Sequence, residues 1–205
     1  MLVCALSLSP EVASGGTPLR VGPDAFAKAF LRCRRSIVQI RTHEAAKGFA
    51  IGFWIGAEGE FVFAGPTTKG ATLSLRTQDG KDHPAHAIGF DPVTRLAVGR
   101  VDDSAARGEP IRVAERSDVA LDEWVVSVTL DAKGAPTPFA GVVEDTPRGG
   151  TLRIARLAVP GQRGAPIVTL DGQLVAIALE DGARKTRAVM LDSVTDFLRA
   201  SVLGQ

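Results

Sequence analysis

The 205-residue chain is short of cysteine, histidine and long apolar runs. Each shortage removes a class of function. Two cysteines, Cys4 and Cys33, make no disulfide framework. No run of about 18 apolar residues occurs, so no helix is expected to span a membrane. Net charge is +1 with no long charge run, which lacks the concentrated basic face that nucleic acid requires. The local cluster Arg32, Arg34 and Arg35 reads as basic residues opposing a helix macrodipole. No G-x-S-x-G, Walker loop or dinucleotide fingerprint is present, and no cofactor is implied. The three histidines are His43, His83 and His86, and none follows His86.

What remains is 45% hydrophobic, enough for a sizeable core. Residues 1–22 read as a leader. Leu2 to Leu8 is similar to the apolar part of a signal peptide, and Val12-Ala13-Ser14 could precede a cut, although a basic n-region is missing. The expectation is an exported protein, periplasmic or secreted. If the leader is only a flexible arm, the alternative is cytoplasmic.

From Asp24 the pattern changes. Phe26, Ala29, Phe30 and Cys33 fall at i, i+3, i+4 and i+7, one face of a helix that ends near Arg34. Pro23 and Asp24 supply its start signal. Short strands follow at Ser36–Arg41, Gly48–Ile55, Glu60–Ala64, Thr72–Arg76, His86–Phe90, Arg95–Val101 and Ile111–Val113. Arg116 to Glu123 reads as a polar crossing. A second group follows: Trp124–Leu130, Phe139–Glu144, Thr151–Arg156, Ile167–Thr169, Leu174–Leu179 and Arg187–Met190. Asp192 to Leu203 closes the chain as a helix, capped by Asp192 or Ser193, with Val194, Phe197, Leu198 and Val202 as its apolar stripe. Pattern alone gives an all-β protein, two barrels or a sandwich. The division expected is residues 23–115, helix and first barrel, and 116–205, second barrel and helix.

One stretch carries more. Pro160 to Leu179 places a Gly-rich turn, Gly161-Gln162-Arg163-Gly164, before an apolar strand, an Asp171-Gly172 turn and another apolar strand. It resembles the G-N-S-G-G-P nucleophile turn of trypsin-like, chymotrypsin-fold serine proteases of the HtrA type. Other segments follow in the same order. Ser36 to Ile40 is similar to that family's S-V-V-x-I strand, and Ile51 to Ile55 to S-G-F-V-I. Asp79-Gly80 with Ala85 to Asp91-Pro92 resembles D-G-x-x-x-x-A-x-x-x-G-x-D. Leu96-Ala97-Val98 matches L-A-V, Phe139 to Val143 looks like the strand ending G-I-V-S, and Arg187 to Met190 looks like F-A-I-P. The resemblance implies two packed six-stranded antiparallel β-barrels.

It also implies a triad, in which a histidine takes a serine's proton and an aspartate fixes the histidine. The histidine position, after the strand Glu60–Ala64, holds Pro66. The aspartate position before Leu96 holds Arg95. The serine position holds Arg163. Losing even one triad member leaves only about 10³ to 10⁴ of acceleration, against roughly 10⁶ and more for competent enzymes. The expectation is therefore a pseudoprotease with no catalytic residue, serving as a peptide- or protein-binding or scaffold module. Gly161, Gln162, Arg163, Gly164 and Arg95 are its candidate binding residues. The arginine forks suit an acidic peptide or a C-terminal carboxylate; the alternative is that Arg163 projects into water. A further alternative is a divergent HtrA-like endopeptidase or other hydrolase with its nucleophile at Ser117, Ser127 or Ser193. His83 and His86 offer H-x-x-H spacing, but i and i+3 face opposite sides of a strand. No metal site is expected there, and the pair reads as a solvated edge. Asp102-Asp103 and Glu144-Asp145 read as turn residues.

Overall fold

The computed structural model describes residues 22–42, 49–114, 119–145, 150–155, 163–181 and 185–203. The expected leader, apart from Gly22, lies outside them. Helix α1 (Pro23–Cys33) opens on a proline, whose fixed φ suits the first helical position, with Asp24 in its first turn and Arg32 in its last. Its inner face packs Phe26 edge-on against Trp124, 5.4 Å between ring centres. Ala29 and Cys33 are fully buried on the same face. Burial pushes the Cys33 thiol up to about 11. A 3₁₀ turn, Arg34–Ser36, then feeds the first strand.

Twelve strands form two closed antiparallel barrels of six strands each. The first comprises β1 (Ile37–Thr42), β2 (Ala50–Trp54), β3 (Glu60–Ala64), β4 (Thr72–Arg76), β5 (Asp82–Asp91) and β6 (Leu96–Val101). The second comprises β7 (Trp124–Leu130), β8 (Pro136–Val143), β9 (Thr151–Ala155), β10 (Pro166–Thr169), β11 (Leu174–Asp181) and β12 (Lys185–Met190). The orders are β1-β2-β3-β6-β5-β4 and, read from β7, β7-β8-β9-β12-β11-β10. The same winding is thus used twice.

Period-2 alternation explains why β3 is buried along its whole length. Phe61 and Phe63 fill the first barrel with Trp54, Leu73 and Leu75. Val62 and Ala64, on the opposite face, join a larger core with Phe53, Val98 and the second barrel's Ile167 and Ile177. A second buried layer between the barrels therefore ties them together. The helices brace it crosswise. Helix α1 precedes the first barrel yet packs on β7 and β8, and α2 (Leu191–Leu203) follows the second yet packs on β5 and β6 as well as β11 and β12. Buried Val194 and Leu198 form its inner stripe.

Several expectations need correction. Ile111–Val113 is no strand of the first barrel; only Val113 bridges, in parallel, to Leu174 of the second. Strand β5 begins at Asp82 rather than His86, and β8 at Pro136 rather than Phe139. Helix α2 begins at Leu191, one residue before the expected cap.

Candidate functional site

Strand β3 ends at Ala64, opposite Leu96 of β6. The next peptide extends the pairing: Gly65 N–H donates to the carbonyl of Arg95 at 3.2 Å. Arg95 takes φ +59°, a left-handed conformation, at the close of a turn in which its N–H donates to the carbonyl of Asp91 at 2.7 Å. The Asp91 carboxylate organises that turn, accepting from Val93 N at 3.0 Å and from the Thr94 hydroxyl at 2.6 Å. Burial pushes its pKa up, but these hydrogen bonds together hold it below the ordinary value. The Arg95 side chain is exposed.

The Gly-rich turn is pressed against the same corner. Gly164 has φ +90°, and its N–H donates to the carbonyl of Ala178 at 2.8 Å. A Cβ there would stand 2.8 Å from the backbone nitrogen of Ala64 and 3.2 Å from the carbonyl of Ile51, so only glycine fits. Arg163 is half-buried, and its Nε donates to the carbonyl of Leu179 at 2.5 Å. That carbonyl belongs to the residue at which the β11–β12 register shifts between Ala178 and Glu180. The alternative in which Arg163 simply projects into water is therefore not what the structure has.

A groove of about 870 Å³ runs beside this corner, walled by β1, the end of β3 and the β7–β8 turn. Pro66 and Arg163 both line it, whereas Arg95 does not. The structure thus brings two of the three candidate triad positions to one cavity. Arg95 reaches it only through its backbone bond to Gly65. Gly161 and Gln162 lie outside the described residues, as does Ser117.

The described residues lining the groove include no histidine, serine or cysteine. Thr77 is the hydroxyl on its wall, already bonded to the Asp79 carboxylate. Asp131, the one acid there, accepts from Lys133 N and Ala135 N, both at 2.8 Å, and these bonds hold its pKa below the ordinary value. Of the remaining candidate nucleophiles, Ser127 is buried between β8 and β10. Ser193 stands on the outside of α2, beside Gly150. The two β5 histidines each meet an acid: His86 Nδ1 lies 2.7 Å from Asp102, and His83 Nδ1 3.4 Å from Asp103. Among the described residues no three potential ligands gather for a metal ion.

Two groove features were not legible from the sequence. Phe49 is clasped by the guanidinium groups of Arg41 and Arg76, at 4.6 and 5.0 Å from its ring centre. The β7–β8 turn leans on the first barrel, where Gln39 Nε2 donates to the carbonyl of Gly134 at 2.9 Å. The Asp131–Gly134 stretch carries turn residues, but nothing in it names the strand it touches.

Comparison with known proteins agrees with this architecture. A probable periplasmic serine endoprotease, DegP-like, of Halomonas elongata is 24% identical over 142 residues, covering 65% of this chain and 30% of the relative. The chain therefore spans under a third of that relative's length. The HtrA-type protease AlgW, solved with a tripeptide, superposes with a TM-score of 0.73 at 20% identity, over 88% of this chain and 64% of that one. A serine endoprotease from Yersinia pestis superposes at 0.72 and 18% identity, over 89% and 68%. At these identities the superpositions establish the fold. The family model for the trypsin-like peptidase domain matches residues 54–177, well over half of the chain, and the protein belongs to that family.

Proposed function

We propose that this trypsin-like domain is a pseudoprotease, and that its groove binds a peptide or protein segment without cleaving it. The observation that carries the reading is the identity of the residues at the corner itself. Pro66 and Arg163, at the positions that the resemblance assigns to base and nucleophile, line the groove, and the exposed Arg95 is not among its lining residues. Proline has no ionisable group, and an arginine stays charged and holds no lone pair for nucleophilic attack. The relative solved with a tripeptide supports a peptide as occupant. Arg163 uses its Nε on Leu179, which leaves its terminal nitrogens to donate to an acidic side chain or a C-terminal carboxylate. The DegP-like relative supports a periplasmic setting.

Labelling with a fluorophosphonate probe tests inactivity. No adduct is expected at any serine, and stoichiometric labelling would sink the reading in favour of a divergent hydrolase with a relocated nucleophile. Titration of an acidic C-terminal peptide tests binding, with Arg163→Ala expected to weaken it about tenfold, the scale of one charge-assisted hydrogen bond.

A further inference from the structure

The groove does not end at β1. Ile37, Val38, Thr77 and Gln78 line it on one side and a second cavity, of about 510 Å³, on the other. Gln78 forms the saddle between the two, its amide donating to the carbonyl of Ile37 at 3.3 Å and to that of Arg34. The far cavity is rimmed by Arg35, Lys81, His83 and Arg107.

The charges on these walls differ in what they already hold. Every acid among the lining residues is engaged. Asp79 takes Lys81 at 3.0 Å and the Thr77 hydroxyl. Asp103 accepts from Ala105 N at 2.8 Å and meets His83. Asp131 is filled by its own turn. Three of the cations are engaged too: Arg76 forks onto Asp82, Lys81 holds Asp79, and Arg107 holds Glu58 at 2.7 Å. Among the described residues, Arg163, Lys133 and Arg35 have no carboxylate within ion-pair distance. The first two line the groove and the third lines the far cavity. The unmatched charge along the walls is positive at both ends.

We propose that the far cavity is a second acidic subsite, in which Arg35 takes a Glu or Asp side chain of the same peptide whose C-terminal carboxylate lies at Arg163. The proposal rests on the peptide-binding reading above. The spacing follows from the register. Gly164 abuts Ile51, which pairs with Gln39 of β1, and Arg35 lies four residues before Gln39. At about 3.3 Å per residue along Ile37–Gln39 and about 2 Å per residue in the 3₁₀ turn that carries Arg35, this is roughly 11 Å, which an extended peptide covers with about three to four residues. The occupant is then a segment with an acidic residue three or four positions before its C-terminus. A second tethered contact adds to the first without having to bring in a second molecule.

The test uses two fluorescent eight-residue peptides with free C-termini, alike except for Glu or Ala at the fifth position from the end. The wild-type chain is expected to bind the Glu peptide about tenfold tighter, the size of one charge-assisted hydrogen bond. Arg35→Ala removes that preference and leaves the Ala peptide's affinity unchanged, whereas Arg163→Ala weakens both. Arg35 is exposed, so its replacement is not expected to unfold the chain. Arg163-dependent binding with no preference for Glu, or a preference that survives Arg35→Ala, overturns the second subsite alone. Failure of both peptides to bind overturns the peptide-binding reading and the subsite with it.

Discussion

Arg163 and Leu179, sixteen residues apart, are joined by a hydrogen bond from the arginine Nε to the leucine carbonyl. The bond ties the Gly-rich turn to β11 at the point where its register shifts. It gives Arg163 a structural role beside any ligand it takes. Arg163→Ala should therefore lower unfolding stability by about 1 kcal/mol, the usual net worth of one such bond. Urea titration reads this directly, and no loss of stability would mean that the contact is not held in solution.

Arg163→Ser places a hydroxyl at the position that the motif resemblance aligns with the family's nucleophile. The change should still give no fluorophosphonate adduct and no peptide hydrolysis. A serine needs a base to remove its proton, and Pro66 on the same wall has none. Labelling of this variant would reveal a base that the described groove residues do not supply.

Gly164→Ala should be far more costly than its neighbour's replacement. The added methyl meets Ala64 N at 2.8 Å and Ala64 Cβ at 3.0 Å, both parts of the buried β3 wall. A left-handed φ adds about 1–2 kcal/mol for an L-residue, and overpacking adds about 1–3 kcal/mol. A total loss of roughly 2–5 kcal/mol in chemical denaturation is expected. A loss under about 1 kcal/mol would show that the turn can lift away from β3.

Glu60 on β3 is fully buried and paired across the sheet with Arg100, 2.8 Å between Oε1 and the guanidinium. Its other oxygen accepts from Glu58 N at 3.1 Å. Breaking a buried pair commonly costs about 3–5 kcal/mol. Arg100 keeps 26% of its side chain exposed and can rehydrate, so Glu60→Ala should cost nearer 2–3 kcal/mol. Thermal unfolding of Glu60→Ala and Glu60→Gln checks this. The Gln variant should lose less, because its amide oxygen can still accept.

The strands were legible because most carry local turn signals and alternating apolar residues, while their closure into two barrels rested on the family resemblance, since pattern alone left a sandwich open. Prolines hid two strand starts. Proline removes a ladder donor and so weakens a strand signal, and the strand expected from Phe139 leaves out the Pro136 and Pro138 that β8 contains. Yet β8 pairs with β9 only at Val142 and Val143, so Pro136 and Pro138 lie where there is no β9 ladder to break. Pro84 likewise sits just before the β5–β6 ladder begins at Ala85. Ile111–Val113 fails for a different reason. Three alternating residues announce extended backbone but not its neighbours: Ile111 N–H donates to the carbonyl of Trp54 in the first barrel at 2.9 Å, while Val113 bridges to Leu174 in the other. Motif order pointed to Pro66 and Arg163, and the structure brings both to one groove. The second cavity was not legible, since Arg35 is read locally as a helix-end charge and its wall is assembled from distant turns.

Acid should loosen this chain through a specific set of carboxylates. Asp79 is held down to about 2 by the Thr77 hydroxyl and Lys81. Arg76 lowers Asp82, and the backbone N–H groups of Ala135 and Lys133 lower Asp131. A carboxylate lowered on folding binds fewer protons in the native state than in the unfolded one. Its contribution is fully present above the unfolded pKa, about 4. It is lost as pH falls through the folded value. The thermal midpoint should therefore be insensitive to these groups between about pH 7 and 5, then drop between about pH 4 and 2. Asp131→Asn removes one titrating group while keeping an acceptor in the β7–β8 turn, so the drop should become shallower. A midpoint flat down to about pH 2, or an unchanged slope in Asp131→Asn, would show that these contacts do not persist in solution.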